Sequence, residues 1–142
     1  MTKEQTIYQN LFDELLNIDP GNGYSFDIDG QVFDSRDVPF EAAELPAIIL
    51  RDISNNGPEE DSRKRVLIVS VIVEDHGDMA ADSIRTKKED CLEAVRRAVG
   101  ISEIDFAGFQ ESETRSDQAL SKAIFANLLF EIHYWVDDEW KI

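Results

Sequence analysis

Few stretches of this 142-residue sequence combine residue types and spacing in a way that chemistry requires. The densest is Asp75-His76 with Asp78 close behind, from which an acid–base pair could be assembled. No nucleophile or oxyanion donor accompanies it, and capping of the following helix accounts for both aspartates. The two histidines, His76 and His133, stand far apart, and neither falls in a Glu-x-x-His or His-x-x-x-His pattern. Asp27-Ile28-Asp29-Gly30 looks like the start of a calcium loop. In every register, however, the required glycine or the closing glutamate lands on the wrong residue, so the segment reads as a turn. Cys91, the single cysteine, sits on the apolar side of a helical pattern and reads as a small core residue. No glycine series leads into a helix with a lysine, as phosphate binding would need. The acid runs Glu59-Glu60-Asp61 and Asp137-Asp138-Glu139 read as solvated surface rather than cation sites. The expectation is a protein without catalytic residues, metal ligands or cofactor.

The elements that would position any site follow from the hydrophobic pattern. Ile7, Leu11 and Leu15 recur every fourth residue, flanked by Tyr8, Phe12 and Leu16, and predict an opening amphipathic helix. Thr2 and Gln5 have capping-box spacing, and Asp19-Pro20-Gly21-Asn22-Gly23 ends the helix. Tyr24, Phe26 and Ile28 alternate with polar residues and predict a strand. Asp29-Gly30 is a tight-turn signal, with Val32-Phe33 expected to start the returning strand of a hairpin. Residues 34–44 read as a loop. Leu45 to Ile53 reads as a short strand with Pro46 at its start, and Ser54 to Ser62 as an acidic loop. Arg63 to Glu74 is β-branched and apolar on both faces, which predicts a central strand.

A second helix is expected from a cap at Asp75 or Asp78 to Val99, stopped by Gly100. Its apolar face is Ala81, Ile84, Cys91, Leu92, Val95 and Val99, with Lys87, Lys88, Arg96 and Arg97 elsewhere. Ile104 to Glu113 is a weaker strand. Leu120 to Val136 alternates apolar and polar residues without a break and predicts a long closing strand. The fold class implied is α+β: one domain over residues 1–142, with two layers. Its mainly antiparallel sheet of four to five strands has two helices packed on one face.

Charge is the compositional outlier. Thirty acids oppose fourteen bases, a net charge of −16. Residues 19–62 hold eleven acids and two bases, whereas residues 63–100 are nearly balanced. A chain this acidic repels phosphates, which disfavours direct binding to nucleic acid through a basic patch. The first ten residues lack the apolar core of a secretory signal, and Val66 to Val73 is too short to span a bilayer, so a soluble, cytosolic protein is expected.

IYQNLFDELL near the start, LPAIIL, the strand VLIVSVIV with a helix ending EAVRRAVG, and the closing AIFANLLFEIHYWVD share one layout. In this order they resemble the tail terminator and tail-completion proteins of long-tailed bacteriophages. The resemblance implies a structural protein that caps the tail tube as a homo-hexameric ring at the tail–head joint of the virion, assembled in the host cytoplasm. It further implies contacts with tail tube and head-completion proteins, with DNA passing unbound through the lumen. Under that reading the loops carrying Asp34, Asp37, Glu41, Glu44, Glu59, Glu60 and Asp61 are candidates to face the lumen or a partner. Two alternatives remain: an acidic DNA-mimic inhibitor of a DNA-binding enzyme, which would explain the charge, and a ferredoxin-like regulatory domain, which shares a similar layout.

Overall fold

The computed structural model describes residues 2–38, 40–56, 64–76, 80–99, 112–116 and 123–135. The first helix, α1, spans Lys3–Leu16 and buries Ile7, Leu11 and Leu15. The capping box forms as expected. Gln5 N–H donates to Thr2 Oγ1 at 3.1 Å, and Thr2 N–H donates to Gln5 Oε1 at 2.7 Å. A 3-10 turn at Pro20–Asn22 then reverses the chain, with Gly23 at φ 88°, a left-handed position that favours glycine.

The five-stranded sheet has the order β1-β2-β3-β5-β4. Its strands are β1 (Val32–Asp34), β2 (Ala47–Asn56), β3 (Lys64–His76), β4 (Ser112–Ser116) and β5 (Ala123–Trp135). β1 runs parallel to β2, and the other three pairings are antiparallel. The expected α+β class, the mainly antiparallel sheet and the central place of β3 are all observed. So is the long closing strand. The second helix, α2, spans Ala80–Val99 and packs with α1 against the same sheet face.

Three expectations need correction. Tyr24 to Ile28 forms no strand and pairs with no neighbour in a ladder. Its alternation is real, with Tyr24 and Ile28 buried, yet its backbone bonds elsewhere. Ser25 and Phe26 N–H donate to one carboxylate oxygen of Asp90 on α2, at 2.8 and 3.2 Å, and Ile28 N–H donates to Ile18 O. The Asp29-Gly30 turn does form, with both residues at positive φ and Gln31 N–H bonded to Ile28 O. It feeds β1 into a parallel pairing rather than a hairpin. Finally, Asp75 does not cap α2, because it and His76 are the last two residues of β3.

Smaller differences concern boundaries. β2 continues through Ser54–Asn56, where a loop was expected. The weak strand expected at 104–113 lies largely outside the described residues, and the observed β4 starts at Ser112. Asp78 and Gly100 are also outside them. Lys87 and Lys88, placed off the apolar face by sequence, are instead well covered.

The core lies between the helices and one face of the sheet. Leu67, Val69, Val71 and Val73 of β3 are fully buried there, as are Leu128 and Ile132 of β5. Cys91 joins them at 0 % exposure, and burial pushes its thiol far above the ordinary range, so it is a packing residue. Each such apolar side chain contributes about 1.5–3 kcal/mol on leaving water.

Candidate interaction surface

The residues that alternate with this core point to the opposite side of the sheet. On β3 they are Val66, Ile68, Ser70, Ile72 and Glu74, and on β5 Phe125, Asn127, Leu129, Glu131 and His133. Neither α1 nor α2 lies over this side. Ile68, Ile72, Phe125 and Leu129 are only half-buried, by one another. Trp135 is 43 % exposed, and Ile53, at the register shift of β2, is 53 % exposed. β-branched residues suit a central strand on either face, which is why the sequence places them here without a helix above them. At the centre Ser70 Oγ donates to Asn127 Oδ1 at 2.6 Å, so the polar groups of the face are partly satisfied within it. The ring Nε2 of His133 is buried without a hydrogen bond, 3.8 Å from Glu131.

The loop after β1 is strapped onto this open face. Arg51, an open-face residue of β2, donates from Nη2 to Arg36 O at 2.8 Å and to Asp37 Oδ1 at 3.0 Å. Arg36 itself lies between two rings, 4.7 Å from the centroid of Phe33 and 4.3 Å from that of Phe40. Its guanidinium grips Glu44 with two parallel bonds of 2.6 and 2.9 Å. Such planar, two-point pairing over aromatic faces is what an arginine does and a lysine cannot. The Arg36 hydrogen bonds hold the Glu44 carboxyl at about 2, well below the ordinary 4.5. Burial shifts Glu74 the other way, with Arg36 opposing the rise.

The sequence-derived candidates therefore divide. Asp34 accepts from the Tyr8 hydroxyl, which also bonds Leu50 O, and so it ties β1 to α1 on the helix side. Burial, reinforced by that carboxylate, raises the Tyr8 phenol far above its ordinary range. Glu44 is engaged by Arg36, and Asp37 pairs with Arg51 while staying 88 % exposed. Glu41 is exposed. Glu59, Glu60 and Asp61 lie outside the described residues. The structure thus brings Asp37, Glu41 and Glu44 together on one strap and sends Asp34 to the other side.

The acid–base cluster does not survive as such. Asp75 faces α2, where Lys87 Nζ sits 3.0 Å from its Oδ2 and 5.0 Å above the Phe26 ring. His76 projects to the opposite side, its Nδ1 3.9 Å from Asp75 Oδ1. Among the described residues no group of three or more His, Cys, Asp or Glu could hold a metal ion. An open hollow of about 720 Å³ beside the first turns of α1 is lined by Glu4, Tyr8 and Asp52 with polar neighbours. None of the described helices is long and apolar enough to cross a membrane.

Sequence reasoning recognised the apolar second face of β3 but missed the strap. The available signal was that Arg36 and Arg51 are the two bases among eleven acids over residues 19–62. Isolated bases in an acidic stretch tend to be spoken for by their neighbours. No protein-family model matches the chain, and no curated protein matches it in sequence.

Proposed function

We propose that this protein is a structural assembly component of the tail terminator kind, working through its open sheet face and the acid-bearing strap at its rim. The observation that carries the reading is the pairing of a half-exposed apolar sheet face with a loop held against it by Arg51 and Arg36. Contiguous apolar surface rimmed by polar residues is the physical signature of a protein-contact surface. The order of elements supports the same reading through its resemblance to tail-completion proteins. In a ring of subunits the exposed Asp37 and Glu41 would add negative charge to a channel and discourage DNA from adhering.

The DNA-mimic alternative gains little from the geometry. Asp34, Asp37 and Glu44 each bind a group of the same chain, so they do not form a free ladder of carboxylates. The deciding experiment mixes the protein with polymerising tail tube protein and measures tube lengths by electron microscopy. Shorter tubes carrying a terminal ring are expected. Unchanged tube lengths at excess protein would defeat the proposal.

A further inference from the structure

β1 covers only part of its neighbour. Its three residues pair with Ile48, Ile49 and Leu50, and the chain then turns away at Ser35, whose φ is 53°. β2 runs on to Asn56 with β3 as its partner on one side only. On the β1 side, Ile48 N–H donates to Gln31 O, and Leu50 O accepts from Ser35 N–H. Alternate residues of an antiparallel strand direct both backbone groups to the same side, so the N–H and C=O of Asp52 follow them outward. The register shift at Ile53 moves the next outward pair to Asn55. Among the described residues nothing takes these four groups, and Asp52 and Ile53 are exposed. At about 3.3 Å per residue, Asp52 to Asn56 extends about 16 Å, the length of an ordinary strand.

An edge alone names no occupant, but its surroundings do. Past the Tyr8 hydroxyl on Leu50 O, the first turns of α1 and Asp52 flank the hollow of about 720 Å³. Glu4, Gln5, Gln9 and Asp52 line it, so a side chain on the helix side of an added strand would enter a polar, acidic recess. Among the described residues neither the Glu4 nor the Asp52 carboxylate is held by a hydrogen bond or a cation. The neighbouring bases are committed elsewhere. Lys3 Nζ donates to Trp135 O, Arg65 Nη1 donates to Lys64 O, and Arg51 turns to Asp37 on the other face. A second copy of this chain would bring carboxylate against carboxylate here, and charge on an edge repels its own kind. A segment bearing lysine or arginine is drawn in instead.

We propose that the outer edge of β2, from Asp52 to Asn55, takes an extended basic segment of a partner protein as an additional strand, laid end to end with β1. Main-chain bonds to Asp52 and Asn55 hold the segment whatever its sequence. A basic side chain reaching between Glu4 and Asp52 selects it, as alternate side chains do wherever a peptide joins a sheet edge.

This edge is separate from the open face that carries the assembly reading, and the two can fail separately. The probe is a pool of decapeptides with lysine at every second position and the other positions randomised. Passed over the immobilised whole chain at physiological salt, it should yield binders. In the tightest of them, methylating the backbone nitrogens of one parity should weaken binding by about tenfold or more. Methylating the other parity should leave it unchanged, because a paired strand donates from alternate residues. Deuterium exchange at the Asp52 and Asn55 amides should slow on binding. Asp52→Lys should weaken binding by about tenfold. Glu41→Lys, the same charge change on the exposed strap, should leave it nearly as it was. Both side chains are exposed, so neither substitution should alter the circular dichroism spectrum. An empty pool overturns the inference. So do binders indifferent to methylation, and so do binders weakened equally by the two substitutions, since the acidic chain then attracts them without a site. Loss of tube capping in a protein that binds its peptide counts against the assembly reading alone.

Discussion

The two faces of the sheet are made from the same three long strands, yet they obey different rules. The centre of the helix face is apolar. Its ion pair Asp75–Lys87 is nearly enclosed, with side chains 12 % and 11 % exposed. The open face mixes Ile68, Ile72 and Leu129 with Ser70, Asn127 and Glu131, and its rim pair Arg36–Glu44 is more accessible, at 18 % and 30 %. What holds the chain folded sits on one face. The other face keeps part of its apolar surface in water. A face under helices must exclude water to stabilise the fold, whereas a half-exposed face must carry enough polar groups to remain hydrated.

Adjacent residues on β5 give the sharpest test of this division. Phe130→Ala, on the helix face, should cost about 4 kcal/mol in urea unfolding through lost burial and the cavity left behind. Leu129→Ala, one residue away on the open face, should cost the isolated chain about 1 kcal/mol, because little water is excluded there. Equal losses would abolish the distinction between the faces.

The ion pairs extend the same contrast. Lys87→Met removes the ammonium 3.0 Å from Asp75 Oδ2 in a covered site and should destabilise by about 2 kcal/mol. A loss below half a kcal/mol would mean that this contact adds nothing to what the other groups around Asp75 supply. Asp90→Ala removes the acceptor of two backbone N–H groups and should cost about 2 kcal/mol. Asp90→Asn, which keeps one carbonyl oxygen, should lose less, and an equal loss would show that charge rather than the oxygen matters.

The rim pair should show itself in titration more than in stability. The Glu44 carboxyl has a lower pKa folded than unfolded. Its contribution is therefore complete above the ordinary value of 4.5 and disappears as pH falls through about 2. Carboxyl-resolved NMR should find the Glu44 midpoint near the lower value, and Arg36→Gln should return it towards 4.5. A Glu44 that titrates normally in the unmutated protein would mean the grip is absent in solution.

Much of the fold was readable because hydrophobic period reports burial directly. β5 and α1 announce themselves by alternation and by four-residue spacing, and β3 by an apolar run too short for a helix. Period does not report the hydrogen-bond partner, which is why Tyr24 to Ile28 reads as a strand. The segment has the burial pattern of one, but a carboxylate 65 residues away from Ser25 takes the place of a neighbouring chain. Nor does period reveal which face of a two-sided apolar strand the helices will choose. β3 offers Val69 and Ile68 with equal apolarity, and only the packing of α1 and α2 decides between them. The strap was illegible for a further reason. Arg36 and Glu44 are eight residues apart in a loop without period, so their pairing depends on the geometry set by Phe33 and Phe40.

The Asp90 arrangement also bears on the order in which the molecule opens and closes. In a ladder, amide protection is shared among many bonds on two strands. Here the Ser25 and Phe26 amides are sheltered by a single side chain, and that side chain is in place only while α2 is docked. Their exchange with solvent deuterium should follow the undocking of α2 rather than the opening of the sheet. The stretch from Tyr24 to Ile28 thus belongs dynamically to the helical layer, although its alternating burial is that of a strand.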